Sequence, residues 1–179
     1  MFQKIIIAAV FSLIATGASA VSSKYNSTLP DNSGPIANVT ISLSEEVASE
    51  TKMYDSRDTA YLQDVLYKKV VGQLTRNHLM QDEGSTLELV ITGLKPNRPT
   101  MAQYRDKPGL HSSSIALGGA KVTGKLIARD GTVIGTLDHV WEEVYIDNLV
   151  GVATWSDAWH SFDRLSRRIA EDVAAKPAS

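Results

Sequence analysis

Serine, histidine and aspartate side chains are the residue types that could give this chain hydrolytic chemistry. The candidate residues are His111, Ser113, His139 and His160, together with several aspartates. A serine becomes a nucleophile when a histidine accepts its proton and a carboxylate orients that histidine. Asp157 and Asp163 lie within one helical turn of His160, but the spacing assigns no serine to them. The chain also lacks a Gly-x-Ser-x-Gly elbow, a His-Glu-x-x-His pair and a glycine-rich phosphate loop. We therefore expect a protein without enzymatic activity and keep hydrolysis as the third alternative.

A cation site is a second chemistry to consider, because four acidic residues follow one another closely. They are Asp138, Glu142, Glu143 and Asp147. Successive side chains of a strand point to opposite faces, so these carboxylates do not converge on one ion. We expect no metal and no cofactor.

Residues 95–113 form the longest irregular stretch that the sequence predicts, and they contain three prolines. Loops of this length are uncommon inside a compact domain and are often functional. Basic groups dominate the stretch, with one acidic residue, Asp106, among them. Such a loop with an exposed aromatic residue can hold an acidic peptide, a polysaccharide or a lipid headgroup, although loop statistics favour a solvated connector. The predicted binding residues are Lys95, Arg98, Tyr104, Arg105, Lys107 and His111.

Trp155 and Trp159 flank the start of the last predicted helix. Two tryptophans at a helix entrance can line a ligand pocket, although packing a sheet against the helix is their commoner use. A small-molecule or glycan-binding module built on these rings is therefore the second function class.

The elements that must position these residues follow from the hydrophobic periodicity. Alternating apolar residues predict strands over 39–43 and 87–91. Leu62, Leu66, Val70 and Leu74 recur every four residues and predict an amphipathic helix, with Asp58 or Thr59 as its N-cap. Residues 158–173 repeat that helical spacing at the end of the chain.

The last helix carries a predicted N-cap and a basic patch. Ser156 is expected to cap it, with Asp157 in its first turn. Its basic residues are Arg164, Arg167 and Arg168, and its acidic residues are Asp163, Glu171 and Asp172. We expect these groups to pair along the solvent-facing side of the helix.

Asp130 and Gly131 predict a hairpin with a type I′ turn, because this pair accepts positive backbone angles. Pairing outward from the turn sets Ala128 opposite Val133, Leu126 opposite Gly135, Gly124 opposite Leu137 and Val122 opposite His139. This register turns His139 inward, where it is expected to be a hydrogen-bonded packing residue.

The element order is therefore β-α-β-β-β-α. It predicts an α/β chain of the α+β type, a compact sandwich in which two helices cover one face of a largely antiparallel or mixed sheet. We expect a single domain over 38–175, preceded by a flexible leader over 21–37 that is rich in serine, asparagine, proline and glycine.

Residues 1–20 have the three parts of a secretory signal peptide: Lys4, an apolar run over 5–14, and Ala18-Ser19-Ala20. Cleavage after Ala20 would leave no transmembrane anchor. It would also change the formal net charge from −2 to −3, which is too mild to predict nucleic acid or an anionic membrane as the main partner. The absence of cysteine excludes disulfides and favours a bacterial periplasm, or secretion from a bacterium.

Three segments carry a family resemblance: residues 114–120 (SIALGGA), 124–131 (GKLIARDG) and 153–158 (ATWSDA). With the elements over 41–173, they resemble bacterial envelope proteins of uncharacterised function, most of them lipoproteins. The resemblance implies a compact α/β sandwich similar to domains of outer-membrane assembly and secretion factors, and it carries over no catalytic residue. This chain lacks the cysteine to which such families attach lipid.

The sequence thus predicts a non-enzymatic periplasmic or secreted envelope protein. Its expected partner is another envelope protein bound through the basic loop, or a small ligand bound at the tryptophans. The sequence does not predict an oligomeric state.

Overall fold

The computed structural model of the protein describes residues 23–31, 33–142 and 153–174. The signal peptide predicted over 1–20 lies outside these residues, as do Glu143 and Asp147. None of the helices in the described ranges has both the length and the hydropathy that crossing a membrane requires.

Five strands form one mixed sheet in the order β1-β5-β4-β3-β2. The strands are β1 (Ser23–Ser27), β2 (Ile36–Leu43), β3 (Ser85–Lys95), β4 (Gly119–Ile127) and β5 (Val133–Glu142). The helices are α1 (Glu45–Ser49), α2 (Ser56–Arg76), α3 (Met101–Asp106) and α4 (Ser156–Val173). Strands β2 and β3 pair in parallel, because α2 carries the chain back between them, and the other neighbours pair antiparallel. The predicted α+β class with a mixed sheet is confirmed.

The two long helices pack on one face of this sheet around a common core. The periodic residues of α2 are fully buried, as predicted, and they join the inward residues of β3. The core also takes Phe162, Leu165 and Ile169 from α4. Fully burying a side chain of this kind contributes about 1.5–3 kcal/mol. This apolar layer fixes α4 across the sheet.

The predicted helix caps are wrong in both long helices. Asp55, not Asp58 or Thr59, is the N-cap of α2, and its carboxylate accepts hydrogen bonds from the backbone amides of Arg57 and Asp58 at 3.0 and 3.2 Å. Asp58 instead accepts from the backbone amide of Asp55 at 3.3 Å, which completes a capping box.

In α4, Trp155 occupies the N-cap position without a side-chain bond to the helix. The hydroxyl of Ser156 accepts a hydrogen bond from the backbone amide of Ala153 at 2.8 Å, outside the helix. Asp157 lies in the first turn, as predicted.

The leader predicted to be flexible forms the sheet edge. β1 pairs antiparallel with β5, so that Ser23 lies opposite Trp141 and Ser27 opposite Leu137. The Tyr25 hydroxyl donates a hydrogen bond to Asp172 of α4 at 2.6 Å. Backbone hydrogen bonds to β5 and the tyrosine contact therefore order a segment that has few apolar groups. The start of β2 also lies within the predicted leader.

The β4–β5 register is confirmed at Val122–His139, Gly124–Leu137 and Leu126–Gly135. It shifts near the turn, where Ile127 rather than Ala128 pairs with Val133.

The predicted type I′ turn is wrong. Of Asp130 and Gly131, only Gly131 has a positive φ, at 87°. The amide of Gly131 donates to the carbonyl of Ala128 at 2.9 Å, and the amide of Ala128 donates to the carbonyl of Thr132 at 2.8 Å. A turn followed by a glycine with positive φ makes a three-residue loop instead of the predicted two-residue loop. This extra loop residue explains why the register differs near the turn.

Two glycine-to-alanine substitutions should have opposite effects on stability. A Cβ at Gly124 would lie 2.6 Å from Leu89 Cδ2 and 3.1 Å from the Glu88 carbonyl oxygen. Gly124→Ala should therefore lower the free energy of unfolding by about 1–3 kcal/mol. A Cβ at Gly72 in α2 meets no atom closer than 4.0 Å, so Gly72→Ala should raise stability by about 0.5–1 kcal/mol. Urea denaturation measures both free energies of unfolding. Equal changes in the two variants would contradict the close packing at Gly124.

Candidate functional site

The segment over 95–113, called the basic segment below, contains one short helix and is otherwise irregular, as predicted. Lys95 ends β3, and a short helix, α3, follows at Met101–Asp106. Thr100 and Gln103 form a capping box, in which the Thr100 hydroxyl accepts from the Gln103 amide at 3.1 Å. The same hydroxyl donates to the carbonyl of Met53 at 2.6 Å. Local capping and this contact hold a helix that is too short for periodicity to predict.

A buried polar network anchors both ends of the region that contains this segment. Asn97 and Asp157 are 0% and 3% exposed. The Asn97 side-chain amide donates to the Asp157 carboxylate, and the backbone amide of Gly118 donates to the same oxygen at 3.0 Å. In return, the backbone amide of Asp157 donates to the Asn97 side-chain oxygen at 2.9 Å. A buried carboxylate is thereby satisfied, and α3 and its flanks are fixed to the start of α4.

Asn97 adds backbone bonds to the same network. Its amide donates to the carbonyl of Thr154 at 2.8 Å, and its carbonyl accepts from the amide of Ala116 at 2.9 Å. Sequence reasoning missed this residue, because an asparagine between prolines is also typical of a solvated turn.

Lys95 and Arg105 lie along the surface of the segment and form long ion pairs, and Arg98 is half-buried. Lys95 is 3.4 Å from Glu142, and Arg105 is 3.5 Å from Asp55. Arg98 donates to the carbonyl of Ser112 at 3.4 Å. Exposed ion pairs of this kind are worth at most about 1 kcal/mol, so they hold the guanidinium and ammonium groups loosely.

The other predicted residues of the segment differ in exposure. Lys107 and His111 are exposed, and Tyr104 is half-buried. Met101 is 65% exposed and Ile115, just beyond the segment, is 41% exposed. Met101 and Arg105 are four residues apart on α3 and so share one face of it. The structure therefore adds two exposed apolar side chains to the predicted basic surface.

The two tryptophans are used in packing. Trp155 is buried, its indole nitrogen donates to Asp58 at 3.1 Å, and its ring lies 6.2 Å from that of Tyr54. Trp159 is half-buried against the core, and its ring centroid is 6.2 Å from that of Tyr61. The structure thus places both rings among core neighbours.

The hydrolytic candidates form three separate pairs. His111 Nδ1 is 2.6 Å from the Ser113 hydroxyl at the surface. His139 Nε2 is 3.1 Å from the Ser161 hydroxyl in the core. His160 is exposed and lies 4.0 Å from Asp157. Within residues 23–31, 33–142 and 153–174, none of these histidines bridges a serine and a carboxylate.

His139 is an inward-facing packing residue, as predicted. Its side chain is 2% exposed, and its Nδ1 has no hydrogen-bond partner among the described residues. Burial lowers the pKa of His139 to about 4, although its hydrogen bond to Ser161 acts in the opposite direction. The imidazole is therefore neutral at pH 7.

A polar cleft of about 490 Å³ lies where α4 meets β1 and β5. Its lining residues are Ser23, Tyr25, His139, Arg164, Arg167, Arg168 and Glu171. The sequence identified the three arginines as a basic patch but could not show the cleft, because β1 forms one wall of it.

The predicted pairing of these arginines with the acids of α4 is mostly wrong. Asp163 binds Lys69 of α2 at 2.6 Å, and Asp172 accepts the hydrogen bond from Tyr25. Of the predicted pairs, Arg168–Glu171 is present, at 3.8 Å.

Comparisons with known proteins give structural similarities only. No family model matches the sequence, and no curated protein is significantly similar to it. The fold is similar to PelC from Paraburkholderia phytofirmans, solved as a dodecamer, with 10% identity, a TM-score of 0.49, and coverage of 87% of this chain and 99% of that one. Protein XCC0632 from Xanthomonas campestris, of family DUF330, has 10% identity and a TM-score of 0.47, with coverage of 80% of this chain and 85% of that one. A minor lipoprotein from Acinetobacter baumannii has 18% identity and a TM-score of 0.37, with coverage of 78% and 92%. These similarities assign no family.

Removing the Asn97 side chain should destabilise the protein through the buried network. Asn97→Ala leaves the Asp157 carboxylate with one donor fewer and should cost about 1–3 kcal/mol. The matched control is Asn77→Ala, because Asn77 also donates from its side-chain amide, to the Gln73 carbonyl at 2.7 Å, but at an exposed helix end. Urea denaturation should show the larger loss for Asn97→Ala, together with faster hydrogen exchange over 95–118. An equal loss in both variants would show that the network is not an anchor.

The buried neutral imidazole predicts a pH dependence of stability. The unfolded chain binds a proton at His139 below about pH 6.5, whereas the folded protein binds it only near pH 4. This contribution to stability is complete above pH 6.5 and is lost as the pH falls from 6.5 to 4, by an amount on the order of 3 kcal/mol. Unfolding free energies measured across this range should fall less steeply for His139→Gln than for the unmodified protein. The exposed control His160→Gln should keep the original slope, and an unchanged slope in His139→Gln would contradict the assignment.

Proposed function

We propose that this protein is a non-enzymatic component of the bacterial envelope that captures a protein partner through its basic segment. The observation that carries the proposal is the outward face of α3. There Met101 is 65% exposed beside Arg105, on a helix that the fold holds in place. The location rests on the signal peptide predicted over 1–20 and on the resemblance to envelope proteins.

The anchoring of the segment supports this proposal. A loop that must be ordered on binding loses part of its interaction energy to that ordering. Asn97 at one side and Gly118 at the other are both held by Asp157, and Thr100 is held by Met53. The backbone of the segment is therefore attached to the core at three points, which lowers the cost of ordering it on binding.

The composition of the surface defines the chemistry of the partner. Methionine and arginine are enriched in protein interfaces, and buried apolar anchors at the centre of an interface carry most of its binding energy. Met101 and Ile115 supply the apolar groups, and Arg105 and Lys107, which outnumber Asp106, supply a polar rim that is mainly cationic. The complementary partner is a protein surface with an apolar pocket and acidic residues around it.

The small-ligand alternative has less support from the geometry. A glycan-binding site would stack a sugar on an exposed indole face, and Trp155 is buried under Tyr54. Trp159 is half-buried against Tyr61. We therefore place the binding surface on the basic segment.

Crosslinking in the native bacterial host tests the proposal. The unmodified protein should capture a reproducible envelope-protein partner, identified by mass spectrometry. The triple variant Arg98→Ala, Arg105→Ala and Lys107→Ala should capture it at least about tenfold less, because the acidic rim of the partner loses its complement. Met101→Glu should cause a comparable loss by placing a charge at the apolar centre.

A charge-matched variant controls for the loss of three cations. Lys68→Ala, Arg76→Ala and Arg129→Ala remove the same charge from other exposed positions and should leave capture unchanged. All variants should keep the thermal unfolding midpoint of the parent to within a few degrees. Equal capture by the two triple variants would refute the basic segment as the binding surface.

A further inference from the structure

The cleft between α4 and the β1–β5 edge is chemically different from the basic segment. Arg164, Arg167 and Arg168 are spaced three and four residues apart, so they share one face of α4. That face borders the cleft, whose opposite wall includes Tyr25 of β1 and the neutral His139 of β5. Three guanidinium groups therefore surround one polar space of about 490 Å³.

The acids near these arginines make their closest contacts with other groups, although Glu171 and the partner of Asp172, Tyr25, line the cleft themselves. Asp163 forms its ion pair with Lys69, and Asp172 accepts the hydroxyl of Tyr25. The first-turn Asp157 is enclosed in the network with Asn97. Among the described residues, no carboxylate forms an ion pair with Arg164 or Arg167, and Glu171 approaches Arg168 only at 3.8 Å. The cleft therefore keeps a net positive charge in a protein whose total charge is −2.

Contacts on the protein side already orient two of the three guanidinium groups. The Arg164 guanidinium carbon lies 5.4 Å from the centre of the Trp141 ring, which leaves the edge of the guanidinium group for other partners. Arg167 donates through Nε to the carbonyl of Asp163 at 3.3 Å, so its two terminal nitrogens can donate to another partner. Guanidinium forks held in this way lose little conformational freedom when they bind an anion.

His139 forms part of the same wall of the cleft. His139 is 2% exposed, and its Nδ1 is a buried polar atom without a hydrogen-bond partner among the described residues. The neutral ring next to three cations also avoids adding a fourth charge.

We infer that this cleft binds a phosphate group, either free or as part of a phosphate ester, held by Arg164, Arg167 and Arg168. Guanidinium forks match the oxygens of phosphates and carboxylates. A carboxylate has two oxygens, whereas a phosphate presents up to four and can engage three guanidinium groups at once. The polar lining fits the phosphate and the atoms next to it rather than an apolar chain. This inference is independent of the partner surface proposed for the basic segment.

Calorimetric titration of the purified protein with sodium glycerol phosphate tests the inference directly, and vesicle sedimentation tests a lipid source of the same group. The vesicles contain phosphatidylglycerol in phosphatidylcholine, with phosphatidylcholine alone as the reference. The double variant Arg164→Gln and Arg168→Gln should bind at least about tenfold more weakly, because two charged hydrogen-bonding groups are lost. Glu171→Gln should bind about two- to fivefold more tightly, because it frees Arg168 from its ion pair.

A matched arginine outside the cleft gives the specificity control. Arg76 donates through Nε to the carbonyl of Gly72, four residues earlier, in the same way as Arg167 does to Asp163. Arg167→Gln should weaken binding several-fold, and Arg76→Gln should leave it unchanged. Binding of glycerol phosphate alone would support the site and assign a soluble ester, and binding of the phosphatidylglycerol vesicles would support it and assign a lipid headgroup. Absence of binding to both probes, or equal losses in Arg76→Gln and Arg167→Gln, would overturn the inference.

Discussion

The buried carboxylate of Asp157 is the constraint on which both candidate surfaces depend. A carboxylate in the interior must be hydrogen-bonded, since burying an unpaired charge is costly. Asp157 meets this requirement with Asn97 and Gly118, which lie at the two sides of α3. One residue thus fixes the basic segment and the start of α4. The orientation of α4 then decides where its arginines lie.

The distribution of acids explains how a protein with a slightly negative net charge can present two cationic surfaces. Asp55 caps α2, Asp157 is buried in the polar network, and Asp172 binds a tyrosine on another element. Each of these carboxylates is used inside the fold or across an element boundary. At the two surfaces the basic side chains outnumber the acidic ones beside them, so the local charge differs from the total. The net charge calculated from composition therefore does not predict the charge of either surface.

Periodic features were predictable from the sequence because they depend on local spacing. The stripe of α2 from Leu62 to Leu74 and the pairing of Gly124 with Leu137 follow from the 3.6- and 2-residue repeats. β1 was not predictable, because its order comes from pairing with β5 and from Tyr25, whose partner is distant in sequence. The same limit applies to the acids of α4: Asp163 has basic residues close by on its own helix, yet its ion pair is with Lys69 of α2. Sequence spacing predicts a partner on the same helix for Asp163, whereas tertiary packing pairs it with Lys69.

The contact between Tyr25 and Asp172 joins residues 147 positions apart, near the two ends of the described chain. β1 also has to find β5 as its partner, so the edge of the sheet closes only when almost the whole polypeptide is available. Contacts of such long sequence separation form slowly, because the intervening chain must first be brought together. The first of the five strands to be synthesised is therefore the one whose partner, β5, is synthesised last. A chain still emerging from the ribosome lacks the strand partner of β1 until β5 has been made.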